Sequence, residues 1–219
     1  MDEYYTVKNE CSGEITEKKS RFIATVRPVK SENEALLFIQ EMKKKYWDAR
    51  HNCSAYIIAE TISGDGEEKK IKITEKANDD GEPSKTAGSP MLEVIKGAGL
   101  KNCAVVVTRY FGGVLLGTGG LVRAYSQATS AGIEAAEKVR MRLLNKISIN
   151  TDYTSYGKFT YLAGEEGVVI LDTDYTDTVT ATCLCDDVSL GRIKSKMAEI
   201  TAGKCIPEIL DKDYFPVEN

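Results

Sequence analysis

The sequence has only five prolines, one tryptophan and one histidine among 219 residues. With 18 glycines and 42% apolar residues, it is neither a collagen-like repeat nor a wholly disordered chain. It also lacks a long apolar run. The longest stretch without Asp, Glu, Lys or Arg, Tyr110 to Val122, falls short of the roughly 18 residues a membrane span requires. The start, MDEYYTVKNE, is acidic and lacks the basic-then-apolar pattern of a signal peptide. The six cysteines form no CxxC pair, so a cytoplasmic chain with reduced thiols is expected.

Charge is unevenly spread. Residues 1–145 carry 22 Lys and Arg against 20 Asp and Glu, whereas residues 146–219 carry 7 against 13, so the net −4 divides into +2 and −6. The cut follows a long helical pattern, Gly120 to Arg142, beyond which Lys146–Asn150 alternates like a strand. Two domains are therefore expected, 1–143 and 144–219, with no Pro- or Ser-rich linker between them.

In the first part, Arg21–Val29 reads as a strand, and Ser31 with Glu34 caps a helix whose apolar positions run to Tyr46. Ala55–Ala59 and Ile71–Thr74 read as strands around a turn at Ser63-Gly64-Asp65-Gly66. Ser89 and Pro90 are expected to open a short helix through Ile95, and the unbroken apolar run Cys103–Thr108 a strand covered on both faces. The second part reads strand 146–153, helix 156–163, strands 168–174 and 178–185, helix 188–200 and strand 206–211. That βαββαβ order is ferredoxin-like, and the fold class is α+β. Cys183 and Cys185 fall on one face of a strand, where two small buried hydrophobes are expected.

The most informative segment joins the buried strand to the long helix: Arg109, Tyr110 and Phe111, then Gly112, Gly113, Gly117, Gly119 and Gly120 within nine residues. Such glycine density suits backbone approaching a ligand. With Thr118 as N-cap, the first-turn amides would meet phosphate or carboxylate, with Arg109 and Arg123 adding guanidinium forks. Two phosphate motifs are absent. Gly112–Gly117 has P-loop spacing but Thr118 stands where Lys belongs, and Val122 stands where the third dinucleotide-binding glycine belongs. Close strand–helix packing would explain the glycines equally well.

The loop from Asn78 to Gly88 places Asp79, Asp80 and Glu82 beside Lys85. It could hold a divalent cation, though without EF-hand spacing, or be an ordered turn. His51 shares a strand face with Cys53, which allows a Cys–His reading, yet no third orienting group and no nucleophile elbow accompany it. A polar or anion-facing His51 beside Arg50 is the simpler expectation. Basic clusters occur at Lys18-Lys19-Ser20-Arg21, which could extend a phosphate-contacting surface, and at Lys43–Lys45, read as a solvated helix end.

Lys19–Ile23, Arg50–Cys53, Asp79–Ser84 with Thr86–Gly88, Arg109–Gly113 and Leu116–Tyr125 together resemble the IMPACT family in its bacterial, YigZ-type form. The resemblance covers about 15–140, and the remainder is similar to the small domain that follows in bacterial members. One departure is Lys85, where those members usually have Gly. The resemblance implies a first domain folded like the second domain of ribosomal protein S-five and domain IV of elongation factor G, and a second like domain V of that factor. Eukaryotic members regulate translation initiation but carry an extra N-terminal interaction domain.

The expectation is thus a non-enzymatic translation-associated regulator that binds RNA or the ribosome and needs no cofactor. Its anion-binding surface would comprise Arg21, Arg50, His51, Arg109, Tyr110, Thr118, Arg123 and the five loop glycines, with Tyr110 and Phe111 able to stack on bases. The alternatives are a phosphotransferase-like enzyme cradling a nucleotide or phosphate ligand, with Asp79 or Asp80 holding magnesium or serving as base, and a protein-interaction module acting through the acidic domain.

Overall fold

The computed structural model describes residues 3–63 and 69–217. Two compact units emerge, Glu3–Arg140 and Met141–Val217.

In the first unit, β1 (Glu3–Val7) precedes a hairpin of β2 (Cys11–Glu17) and β3 (Ser20–Pro28). The hairpin turns on Lys18 and Lys19, both left-handed (φ 44° and 66°), as a two-residue loop matching strand twist requires. Then follow α1 (Glu32–Lys45), β4 (His51–Ser63), β5 (Lys69–Asn78), α2 (Gly88–Gly97), β6 (Cys103–Tyr110) and α3 (Gly117–Glu134). The sheet is antiparallel in order β2-β3-β6-β4-β5.

Alternation along the strands builds two cores. Phe22, Ala24, Cys53, Ala55, Val105 and Val107 pack with α2 and α3 residues such as Met91, Leu121 and Ala124. Tyr56, Ile58, Ala104 and Val106 meet Ala35, Phe38 and Met42 of α1. The central strand β6 is therefore buried on both faces, which is why its sequence is continuously apolar rather than alternating.

Helix α1 begins as expected, with Ser31 Oγ accepting from the Glu34 amide. Two strands, β1 and β2, have no counterpart in the sequence reading, because neither carries a strong apolar alternation. Of the turn expected at Ser63-Gly64-Asp65-Gly66, all but Ser63 lies outside the described residues.

The helix expected to reach Arg142 ends at Glu134, and β7 (Lys138–Thr151) starts four residues later. Ala and Glu favour helix locally, but the segment is claimed by distant partners. The Lys8 amide donates to the Glu137 carbonyl at 2.9 Å, and Arg140 pairs with Glu3 at 2.6 Å. Pairing overrides propensity.

The second unit continues through α4 (Tyr153–Glu165), β8 (Val169–Tyr175), β9 (Val179–Cys185), α5 (Asp187–Ile200) and β10 (Glu208–Val217). Its strand order, β10-β7-β9-β8, with βαββαβ connectivity, is ferredoxin-like. Ile147, Ile149, Ala181, Cys183 and Cys185 line one sheet face against Phe159, Leu162, Ile193 and Met197. The two cysteines are thus buried hydrophobes, as their spacing predicts.

Candidate anion-binding surface and the acidic loop beside it

Strand register brings the expected site residues to one end of the first sheet, because the start of β4 lies against the end of β6, with His51 opposite Arg109, and Arg21 at the start of β3 lies opposite Tyr110. The residues gathered there divide into two groups, one bonded internally and one left open.

The acidic loop after β5 is closed. Asp79 accepts hydrogen bonds from the amides of Lys85 (2.7 Å), Ala87 (3.0 Å) and Gly88 (2.8 Å). It thereby caps α2, which starts at Gly88 rather than at Ser89 and Pro90 and has no cap of its own. Asp80 accepts from the Asn52 amide and pairs with Lys43, so Lys43 is not merely a solvated helix end. Glu82 is buried and pairs with Arg109 at 2.6 Å, while Tyr125 Oη donates to it at 2.8 Å. The three carboxylates serve different donors, and among the described residues no group of three or more acids, histidines or cysteines is arranged to hold a metal ion. Lys85 takes a left-handed φ of 63°, the conformation that favours glycine.

Arg109, expected to face an anion, is instead 6% exposed. Its guanidinium lies 5.4 Å from the Phe22 ring centroid and 5.6 Å from that of Phe111, and its charge is met by Glu82. The physical reason is its position on β6, whose alternation points it under the loop. Cys53 Sγ donates to the Asp79 carbonyl at 2.9 Å and lies 3.3 Å from Tyr125 Oη. Burial, more than the nearby carboxylates, pushes the Cys53 thiol far up, and burial does the same to the Tyr125 phenol. Cys53 is fully buried with its thiol against the Asp79 carbonyl, an environment that does not suit a Cys–His nucleophile. His51 is half-buried, with Nδ1 2.8 Å from the Asp80 carbonyl. Tyr125, at the centre of this network, lies within the Leu116–Tyr125 segment, where nothing in the sequence marks it as part of the site. A helical position two residues past an exposed Arg does not announce a buried hydroxyl.

The glycine loop is open. Gly112 docks on the hairpin turn, where a Cβ would overlap the Lys19 carbonyl group, and its amide donates to Ser20 Oγ at 3.1 Å. Gly117 is left-handed (φ 71°), and α3 begins there, with Leu116 at the N-cap position. Thr118 therefore lies inside the helix and does not cap it. Every other helix receives a side-chain oxygen: Ser31 for α1, Asp79 for α2, Asp152 for α4 and Asp186 for α5. Among the described residues, α3 receives none. Gly117, Thr118 and Gly119 are exposed, and Gly113, with φ 84°, is exposed before them. The exposed Arg123 guanidinium lies 3.8 Å from where a Cβ on Gly119 would be and forms no ion pair among the described residues. Gly120 packs against Leu116.

The remaining expected contacts are mixed. Arg21 is exposed but held by both Glu14 oxygens, at 2.6 and 2.7 Å. Tyr110 donates to Asp48 at 2.9 Å, and exposed Arg50 lies 5.9 Å from the Phe111 centroid.

Comparison with known proteins agrees with the two-unit division. Residues 18–133 match the Impact N-terminal domain, and residues 149–204 match a domain of unknown function, DUF1949. The chain is 42% identical over 204 residues to the IMPACT family member YvyE of Bacillus subtilis, covering 93% of this chain and 89% of that protein. It is 30% identical over 186 residues to the IMPACT family member YigZ of Escherichia coli, covering 85% and 87%. A crystal structure titled as that of an hypothetical protein aligns over 97% of this chain and 100% of its own, with TM-score 0.59 and 26% identity. With two domain matches in order and relatives spanning nearly the whole chain, this protein belongs to the IMPACT family, in its bacterial YigZ-type form.

Proposed function

We propose that the protein is a non-enzymatic regulator or accessory factor of translation in the cytoplasm, and that its first unit presents an anion-binding surface to RNA or the ribosome. The observation that carries this reading is the start of α3: an exposed first turn that, among the described residues, has no side-chain cap, with the exposed Arg123 guanidinium, which forms no ion pair there, at its side. The free amides and positive helix end favour an oxyanion there. Family membership supports the link to translation, the role its eukaryotic members share. The phosphotransferase alternative has less support, since Asp79 and Asp80 spend their oxygens on backbone amides and Lys43.

The test is co-sedimentation of the full chain with ribosomal subunits at two salt concentrations. Binding should weaken at the higher salt, with a log–log slope of about −0.7 to −0.9 per phosphate neutralised, and Arg123→Glu should abolish it. Salt-insensitive association, or wild-type co-sedimentation of Arg123→Glu, refutes the reading. Tight magnesium-dependent binding of ATP or GTP by calorimetry would favour the enzymatic alternative instead.

A further inference from the structure

The same end of the first sheet carries flat and cationic side chains beyond the start of α3. Trp47, the only tryptophan in the chain, is 82% exposed. Its loop is nevertheless anchored: the Ala49 amide donates to the Tyr46 carbonyl at 3.1 Å, the Arg50 amide to the Arg109 carbonyl at 3.3 Å, and Tyr110 Oη to Asp48 at 2.9 Å. An indole held in water by an ordered loop adds little to the core. Three residues on, the Arg50 guanidinium faces the Phe111 ring, which is 41% exposed. Arg109, also beside that ring, is neutralised by Glu82, whereas Arg50 forms no ion pair among the described residues. Lys44 and Lys45 end α1 just before the loop, are exposed, and likewise form no ion pair among the described residues.

Flat faces interleaved with unneutralised cations match the chemistry of an unpaired strand, whose bases expose π-faces and whose phosphates are regularly spaced. A duplex hides those faces by stacking them internally, and an acidic peptide would use the cations but not the planes.

We infer that this end of the sheet binds single-stranded RNA, with unpaired bases stacking on Trp47 and on the Arg50–Phe111 pair, and with Lys44 and Lys45 taking backbone phosphates. The inference rests on the proposed function and narrows its ligand to an unpaired strand.

Because there is one tryptophan, intrinsic emission reports directly on this surface. The full chain is titrated with an oligouridine of about 12 nucleotides, with an RNA duplex of the same strand length and with polyglutamate, and affinity for labelled oligouridine is measured independently by anisotropy. Oligouridine should quench the emission saturably while duplex and polyglutamate leave it unchanged. Trp47→Ala and Arg50→Ala should each weaken oligouridine about tenfold, and Trp47→Phe should retain most of the affinity. Equal quenching by duplex or by polyglutamate, or wild-type affinity in both alanine variants, overturns the inference. If Arg123→Glu loses ribosomal co-sedimentation while oligouridine neither binds nor quenches, this inference fails and the proposed function stands. If oligouridine binds as described while Arg123→Glu co-sediments as wild type, the role assigned to the start of α3 fails and the stacking surface stands.

Discussion

Two of the strand-to-helix loops of the first unit, Asn78–Ala87 before α2 and Phe111–Leu116 before α3, look alike in sequence: both contain glycine, and both lie beside charged residues suited to ion binding. Their bonding is opposite. In the acidic loop each carboxylate is met by an internal donor, so the loop fastens α2, β4, β6 and α3 to one another. At the glycine loop, among the described residues, the helix start receives no side-chain oxygen and the neighbouring Arg123 meets no carboxylate. A charged or glycine-rich motif therefore says little by itself. What separates a fastening from a binding surface is whether its donors and acceptors balance within the fold.

The contrast is open to direct attack. The largest effect is expected at Glu82→Ala, which leaves Arg109 charged and buried without its partner and should destabilise the first unit by about 3–5 kcal/mol in urea unfolding. A loss below about 1 kcal/mol would mean that the acidic loop is not a fastening. Gly112→Ala comes next. Its Cβ would overlap backbone at Lys19, so either the hairpin turn or the loop must move, at about 1–3 kcal/mol in thermal unfolding.

A capped helix of the second unit supplies the control for uncapped α3. The Ser189 amide holds the Asp186 carboxyl below its ordinary 3.8, so the folded pKa lies under the unfolded one. The cap's stabilisation is then fully present above pH about 4 and is lost as pH falls through the folded value. Asp186→Ala should cost about 1 kcal/mol at neutral pH, and the gap from wild type should narrow in acid. A pH-independent gap would remove the cap from the account. A smaller effect of opposite sign is expected at Lys85→Gly, which relieves a left-handed lysine: a gain of up to about 1 kcal/mol by chemical denaturation, reduced by the freer unfolded chain. The smallest effect on stability belongs to Arg123→Glu, within about 0.5 kcal/mol, because that side chain is exposed and forms no ion pair among the described residues. A large loss there would show that Arg123 is part of the scaffold rather than of a binding surface.

Much of the fold was legible in the residues. The continuous apolar run at Cys103–Thr108 announced a doubly covered strand, Ser31 with Glu34 announced a helix start, and the βαββαβ order of the second unit followed from its periodicity. The site was less legible. Arg109 and Arg123 read alike as guanidinium forks, yet one is buried and paired with Glu82 and the other stands in solvent. Nothing in the sequence marks Trp47, because a single aromatic after a helix is ordinarily core.

By itself, then, the order of residue types determined which segments become strands and helices and which motifs place the chain in its family, since both depend on neighbours along the chain. Tertiary structure alone decided where the helix after the glycine loop stops, that Asp79 caps α2, and which cations keep their charge unmet. Those outcomes turn on groups distant in sequence coming within hydrogen-bonding reach, and electrostatic balance is settled only once the chain has folded and each buried charge has found, or lacks, a partner.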